Sequence, residues 1–456
     1  MEFDFSKLPL KNRAFSEKPM TFIDRGAKNF LAAMIDVIAI ETGNRAAREY
    51  WQHKQLQNLL QHAAQRSAFW RQRLGTKKVN DISLPDLPIL TRNDVVKQAE
   101  AEGSLLPPDG GIATAKLATS GSSGTPVRFF VSQMNGEYNA VRSLAQYFME
   151  GRDLTLNRTH FKRAPKPIEG GFSAKLSDGW LGPLSSFLKS GEAKEILHHH
   201  LNRDLMLSEL AKKPIGYLIT PPSIIEALFY ESDLSFLVVN GTRMLIPIDE
   251  EADQGLRDRC AAAGIPVRAV YSSQEAGYIA AECKRCPGAF HVAQSNVVIE
   301  IDNQNSVIVG GNRLGRVLVT HLHSYATPFV RYDVGDFAQL SEQCECGHDG
   351  PVLKNIYGRQ KRLLKHPDGS VTAFSVVARN ILQIVNCDEY RIRQTALNTI
   401  DVEISGVSQL SAEQIAQLTS LFKERAGQDF RVQINTVRNI DWGHDAKRLG
   451  FRSDLF

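Results

Sequence analysis

The chain has 456 residues, 43% of them apolar and 23% charged, with a formal charge of +4. That length exceeds one hydrophobic core, so two or three domains are expected, and the composition excludes a disordered or low-complexity chain. So slight a positive surplus argues for neither nucleic acid nor a membrane surface as a partner.

Taken in chain order, the first 108 residues read as mainly helical. Phe30 to Ile40 is apolar but too short to cross a bilayer, and it carries Asp36, so it reads as one buried helix. MEFDFSKLPL, with early acids and no long apolar stretch, does not read as a signal peptide, and a cytoplasmic protein is expected. Arg45 to Arg73 places Trp51, Leu56, Leu59, Leu60, Ala63 and Phe69 at helical spacing. Thr91 with Asp94 three residues on resembles a capping box that opens another helix.

From about 115 to 340, β-branched apolar runs alternate with helical stretches. The expected strands include IGYLIT (Ile215 to Thr220), FLVVN (Phe236 to Asn240), RMLIPI (Arg243 to Ile248) and VRAVY (Val267 to Tyr271), with helices in PSIIEALFYES and EEADQGLRDRCAAAG. After Cys286 the strands crowd together (NVVIEI, SVIVG, GRVLVTHL, FVRYDV), which suggests a mixed or antiparallel sheet. Tyr357 to Gly369, charged and broken by Gly358, Pro367 and Gly369, marks a boundary. Beyond it lie a helix near Val376 to Ile384, strands YRIRQTA and DVEISG, a helix SAEQIAQLTSLFKERAG and a strand FRVQINTV. The expected fold is α/β: a large N-terminal domain, 1–357, with mixed and parallel sheets covered by helices, followed by a small mobile α+β domain, 358–456.

One segment is rich in phosphate-binding chemistry. Thr119, Ser120, Gly121, Ser122, Ser123, Gly124 and Thr125 precede Pro126 and the apolar VRFFV. Glycines let backbone N–H groups turn inward and hydroxyls add donors, so such a loop can wrap a polyphosphate. It is not a Walker A loop, lacking the Gly-Lys-Ser/Thr ending, and it does not satisfy G-x-S-x-G. On composition alone, a flexible surface linker is an equal reading.

Two close cysteine pairs, Cys283-x-x-Cys286 and Cys344-x-Cys346, hold four of the six cysteines. Each pair can chelate and four thiolates suit tetrahedral zinc, so a structural zinc knuckle spanning 283–346 is expected, with His291 and His348 as spare ligands. His198-His199-His200 is not read as a metal site, because adjacent side chains diverge; one of the three could still line a pocket with Pro221 to Ser223.

TSGSSGTP resembles the phosphate-binding signature of the adenylate-forming superfamily, which includes acyl-CoA synthetases, adenylation domains and luciferases. Further likenesses follow in order: YSSQEAG (Tyr271 to Gly277), RYDVGD (Arg331 to Asp336), GRQKRLLKHPDG (Gly358 to Gly369) and AKRLGFRSD (Ala446 to Asp454). AFWRQRLG and ISLPDLPILTRNDVV resemble the phenylacetate-CoA ligase branch. The resemblance implies ATP-dependent conversion of a carboxylic acid to an acyl-adenylate, then transfer to a thiol, most simply coenzyme A. Alternative acceptors are a carrier-protein thiol or an amine, and a non-catalytic nucleotide-binding scaffold is the rival of another class. The branch implies an aromatic or bulky apolar acid.

By the same resemblance Thr119 to Thr125 would hold the β- and γ-phosphates and Glu275 would bind Mg²⁺. Tyr271, with Ser272, Ser273 and Gln274, would meet the nucleotide, the tyrosine stacking on adenine. Asp336 would accept the ribose hydroxyls, Arg359 would contact ribose or phosphate, Lys361 would be the hinge, and Lys447 would bridge the carboxylate and the α-phosphate. Ser272, Gln274, Lys361 and Ala446 depart from the family's usual glycine, hydroxyl residue, aspartate and glycine. The last leaves Lys423 and Arg448 as rivals to Lys447. Either a monomer or a homodimer fits, with no nucleic acid or membrane partner.

Overall fold

The computed structural model describes residues 25–100, 113–118, 127–164, 166–186, 188–199, 201–309, 311–358, 362–374, 376–442 and 450–456. Helix α1 (Arg25–Thr42) buries Phe30, Met34, Val37 and Ile38 on one face while Ile35 stays 47% exposed. It is therefore amphipathic, not wholly buried as the apolar run suggested. The expected helix from Arg45 to Arg73 is two helices, α2 (Arg45–Arg66) and α3 (Ala68–Leu74), divided at Ser67. The Ser67 hydroxyl accepts from Trp70 N–H at 3.2 Å, capping the start of the second helix. Helix α4 (Arg92–Glu100) opens on the expected capping box: Thr91 N–H donates to Asp94 Oδ2 at 2.9 Å and Asp94 N–H to Thr91 Oγ1 at 3.1 Å.

Strands β1 (Ala113–Ala118) and β2 (Arg128–Ser132) form an antiparallel ribbon in which Ala118 faces Arg128. Helix α5 (Gln133–Met149) follows at once, its N-terminus capped by Ser132. Trp70, Leu90, Phe129, Phe329 and Tyr332 share one core, joining α3, β2 and the residues before and within RYDVGD.

The next unit is an α/β sheet. Its strands are β3 (Arg158–Arg163), β4 (Phe172–Ser177), β5 (Ala193–His198), β6 (Gly216–Thr220) and β7 (Thr242–Pro247). The order is β4-β5-β3-β6-β7, parallel except for the antiparallel edge strand β4. Helices α6 (Arg203–Leu210), α7 (Pro222–Leu228), α8 (Ser235–Val239) and α9 (Gln254–Ala262) make the connections. FLVVN, expected as a strand, is the short helix α8, with Val239 84% exposed. A five-residue apolar run has too little length for its period to separate helix from strand.

Seven antiparallel strands follow: β8 (Val270–Ser273), β9 (Gly277–Glu282), β10 (Ala289–Val292), β11 (Val297–Val309), β12 (Asn312–His321), β13 (Tyr332–Gln343) and β14 (Asp349–Tyr357). Their order is β11-β12-β13-β14-β10-β9-β8. VRAVY is a strand only from Val270; Val267 makes a single bridge to Leu245.

The C-terminal part opens with a small hairpin of β15 (Leu363–Lys365) and β16 (Val371–Ala373), then α10 (Ala378–Ile384). Strands β17 (Glu389–Ala396) and β18 (Thr399–Ser405) are followed by α11 (Ala412–Ala426), β19 (Arg431–Thr436) and β20 (Phe451–Ser453). The sheet order is β19-β18-β17-β20. Ile392, Ile400, Val402, Leu418 and Phe422 give this part a core of its own. Among the described residues no helix is long and apolar enough to cross a membrane.

Candidate active site

The turn between β8 and β9 presents a buried carboxylate. Glu275 is 7% exposed, and its Oε1 accepts from the Tyr332 hydroxyl at 3.2 Å. Ser273 Oγ accepts from Ala276 N–H at 3.0 Å, tightening the turn. Gly277, at φ +62°, must be glycine: an added Cβ would sit 2.0 Å from Asn139 Oδ1 on α5. The helix that follows β2 thus packs directly against the hairpin that carries Glu275.

Tyr271 on β8 donates to Asp336 Oδ2 on β13 at 2.8 Å. Burial, reinforced by Asp336, pushes the phenol well above its usual range, so it remains a donor at neutral pH. The sequence reading gave these two residues separate roles on adenine and ribose; the structure adds that they form one pair, the phenol orienting the carboxylate. Two residues earlier than Gly335, Asp333 accepts from Gly335 N–H at 2.9 Å and from Arg316 at 2.7 Å. Arg331 adopts φ +52° and binds Glu300 at 3.0 Å. Ser272 and Gln274 are exposed and Ser273 is half-buried.

Thr119 to Thr125, Arg359, Lys361 and Lys447 lie outside the described residues. What is described is their surroundings. Ala118, which precedes that glycine- and serine-rich segment, pairs with Arg128, which follows it. Gly358 and Arg362, both within the Gly358–Gly369 segment, line a cavity of about 830 Å³ together with Gly450 and Phe451 of the Ala446–Asp454 segment. The lining also includes the carboxyl ends of the parallel strands: Arg163 ends β3, His198 ends β5 with His199 next, and Pro222 and Ser223 follow β6. Open α/β sheets bind ligands at that edge. Two of the three histidines therefore do line a pocket beside the PPS segment. Ser223 is fixed by Glu250, its N–H at 3.0 Å and its hydroxyl at 2.9 Å. Tyr230, Phe374, Tyr390 and Trp442 make the cavity partly aromatic.

Tyr271, Glu275 and Asp336 do not line this cavity. The chemistry of the site argues for the β8–β9 turn as its centre, with the cavity alongside: Phe337, next to Asp336, pairs with Tyr357, which lines it.

The cysteine pairs converge. The knuckle 283–288 joins β9 to β10 and the knuckle 344–348 joins β13 to β14, and β10 pairs with both β9 and β14. The donor atoms of Cys283, His291, Cys344 and Cys346 lie within 4.8 Å of one another. His291 Nε2 is 3.4 Å from Cys346 Sγ, and Arg285 N–H donates to Cys283 Sγ at 3.4 Å. Gly288 at φ +80° and Gly347 at φ +89° make the tight returns. His291, held in reserve by the sequence reading, thus stands in this group, and Cys286 packs beside Cys283, Cys344 and Cys346 in the same cluster. Three thiols and an imidazole are a donor set that fits tetrahedral zinc. All six cysteines are free thiols.

Sequence reasoning missed Tyr332 and His321, which touch Glu275. Tyr332 could have been found, since it lies inside RYDVGD.

Sequence comparison finds no matching family model and no matching curated protein. Structural comparison does. The fold resembles 2-hydroxyisobutyryl-CoA ligase in the postadenylation state with 2-HIB-AMP, with a TM-score of 0.64 and 18% identity over 91% of this chain and 92% of that one. The same ligase in the thioesterification state with 2-HIB-AMP and CoA gives a TM-score of 0.56 and 18% identity over 92% of both chains. The acyl acid amido synthetase GH3.15 gives 0.50 and 10% identity over 89% of both. Across nearly its whole length, this chain has the fold of the adenylate-forming enzymes.

Proposed function

We propose that the protein uses ATP to convert a carboxylic acid into an acyl-adenylate and passes the acyl group to a thiol, most simply coenzyme A. The observation that carries this reading is the arrangement on one sheet of Tyr271, Glu275 and Asp336. They are separated by up to 65 residues in sequence, yet Tyr271 reaches Asp336, and Tyr332 of the same RYDVGD segment reaches Glu275.

The reaction joins two anions, so the catalyst must position them and offset charge. Glu275, with one oxygen accepting from Tyr332, suits a Mg²⁺ ion beside phosphates. That ion, when bound, would neutralise phosphate charge. Asp336, steadied by Tyr271, would accept from the ribose hydroxyls, and the loop Thr119 to Thr125 would donate to the phosphates. Lys447 would bring a point charge to the carboxylate and α-phosphate, and Arg359 a guanidinium to the nucleotide. The aromatic wall of the cavity supports a bulky acyl group. Residues 358–456 would act as a mobile domain about Lys361, supported by their separate core. Zinc held by Cys283, His291, Cys344 and Cys346 would be structural, since four protein ligands leave no open position.

An amide-forming ligase shares every step up to the adenylate, and the likeness to an acyl acid amido synthetase keeps an amine among the acceptors to test. Pyrophosphate–ATP exchange across a panel of aromatic, branched and hydroxylated acids tests the first step. Competition among coenzyme A, carrier-protein thiols and amines then assigns the acceptor. Nucleotide binding with no acid-dependent exchange would leave only a binding protein.

A further inference from the structure

A carboxylate directs a metal–nucleotide only as well as its turn is held, and the turn Gln274–Ala276 is held by polar side chains from outside it. His321, the last residue of β12, donates from Nδ1 to the Glu275 carbonyl at 3.2 Å. Asn296, just before β11, donates from Nδ2 to the Ala276 carbonyl at 3.1 Å and to the Tyr278 carbonyl at 2.6 Å. His321 is 1% exposed and Asn296 is 0% exposed. Buried carbonyls without partners would be costly, so these donors are not idle. Ordinary packing would be served by apolar side chains; donors are needed only where the peptide direction is fixed.

The cradle is itself braced. Ser295, beside Asn296, donates from N–H and Oγ to Glu41 Oε1 at 2.9 and 2.5 Å, and its carbonyl accepts from His323 Nε2 at 3.0 Å. Glu41 in turn meets Arg142 Nε at 3.3 Å. The chain leading into β11 is thereby pinned to α1 and α5, the helix that packs on Gly277. Burial, aided by His323, holds His321 down to about 3, so it presents a neutral ring whose single proton serves the Glu275 carbonyl.

We infer that His321 and Asn296 are positioning residues: they fix the two peptides on either side of Ala276, directly after Glu275, so that the Glu275 carboxylate stays aimed at the metal–nucleotide complex. The inference rests on the proposed reading of Glu275 as a metal ligand. It requires that losing either donor weakens metal–ATP binding, not merely the fold.

The test uses the full chain and Mn²⁺–ATP as the probe, its affinity read from water-proton relaxation, so no acid need be known. H321F removes the donor but keeps a planar ring; H321N keeps a donor near the Nδ1 position; N296A removes the second donor. H321F and N296A are expected to weaken Mn²⁺–ATP binding by about tenfold, the size of one such hydrogen bond. H321N is expected to recover most of that loss even where its melting temperature falls as far as that of H321F. Should one variant fail to fold, the other carries the test. Mn²⁺–ATP affinity unchanged in the folded donor-less variants, or H321N no better than H321F, overturns the inference. If E275Q itself binds Mn²⁺–ATP as the parent does, the reading of Glu275 falls, and this inference with it. A shifted E275Q beside unshifted H321F and N296A overturns this inference alone.

Discussion

At the scale of single residues, the pair Tyr271–Asp336 carries the most direct consequence. The phenol's hydrogen bond at 2.8 Å fixes a carboxylate assigned to the ribose. Tyr271→Phe should raise the KM for ATP roughly two- to tenfold, the range for one hydrogen bond of about 0.5–1.5 kcal/mol. The KM for the acid should stay put; an equal rise in both would mean the pair serves the fold and not the nucleotide. The sequence made Glu275 and Asp336 visible because they sit in recognisable motifs. It could not have revealed the Asn296 and His321 contacts, which join residues 18 to 46 positions apart through sheet register. No local pattern encodes that register.

At the scale of elements, patterns with a strong physical signature were legible. Thr91 with Asp94 gave the start of α4, and the crowded strands after Cys286 pointed to a mixed or antiparallel sheet, of which the antiparallel one formed. Ser67 was not legible as a break, because a serine inside an apolar-periodic run is tolerated until its hydroxyl caps a new helix. FLVVN failed for want of length. The four cysteines were legible as two close pairs, but the place of His291 among them depended on how β10 lies against β14. Metal analysis of untagged protein should give about one zinc per chain. Cys344→Ser and His291→Gln should each lower both zinc content and melting temperature, with Cys286→Ser the milder change. Zinc-free parent protein, or greatest loss in Cys286→Ser, would discard this ligand set.

For the whole molecule, the alternation of strands and helices foretold the layered architecture, while the placement of the C-terminal part against the strand ends did not follow from the sequence. The buried histidines give the molecule a pH dependence. Burial holds His321 to about 3 and His323 to about 4, against an ordinary 6.5. The unfolded chain therefore binds more protons than the folded one between these values, so stability is full above about pH 6.5 and falls as pH drops toward 4. Between pH 6.5 and 5 the loss should approach about 2 kcal/mol for each ring. Urea melts at pH 7, 6 and 5 check this, and His323→Phe should flatten the slope. A parent chain equally stable at pH 7 and pH 5 would mean the rings are not held neutral.

The central claim is that this chain builds an acyl-adenylate with Glu275 at the metal–phosphate position. The measurement that tests it most directly is acid-dependent exchange of labelled pyrophosphate into ATP, comparing the parent with E275Q and K447A. The account predicts exchange that requires both the acid and a divalent cation, reduced roughly 100-fold or more in each variant. Exchange at the parent rate in both variants would contradict it.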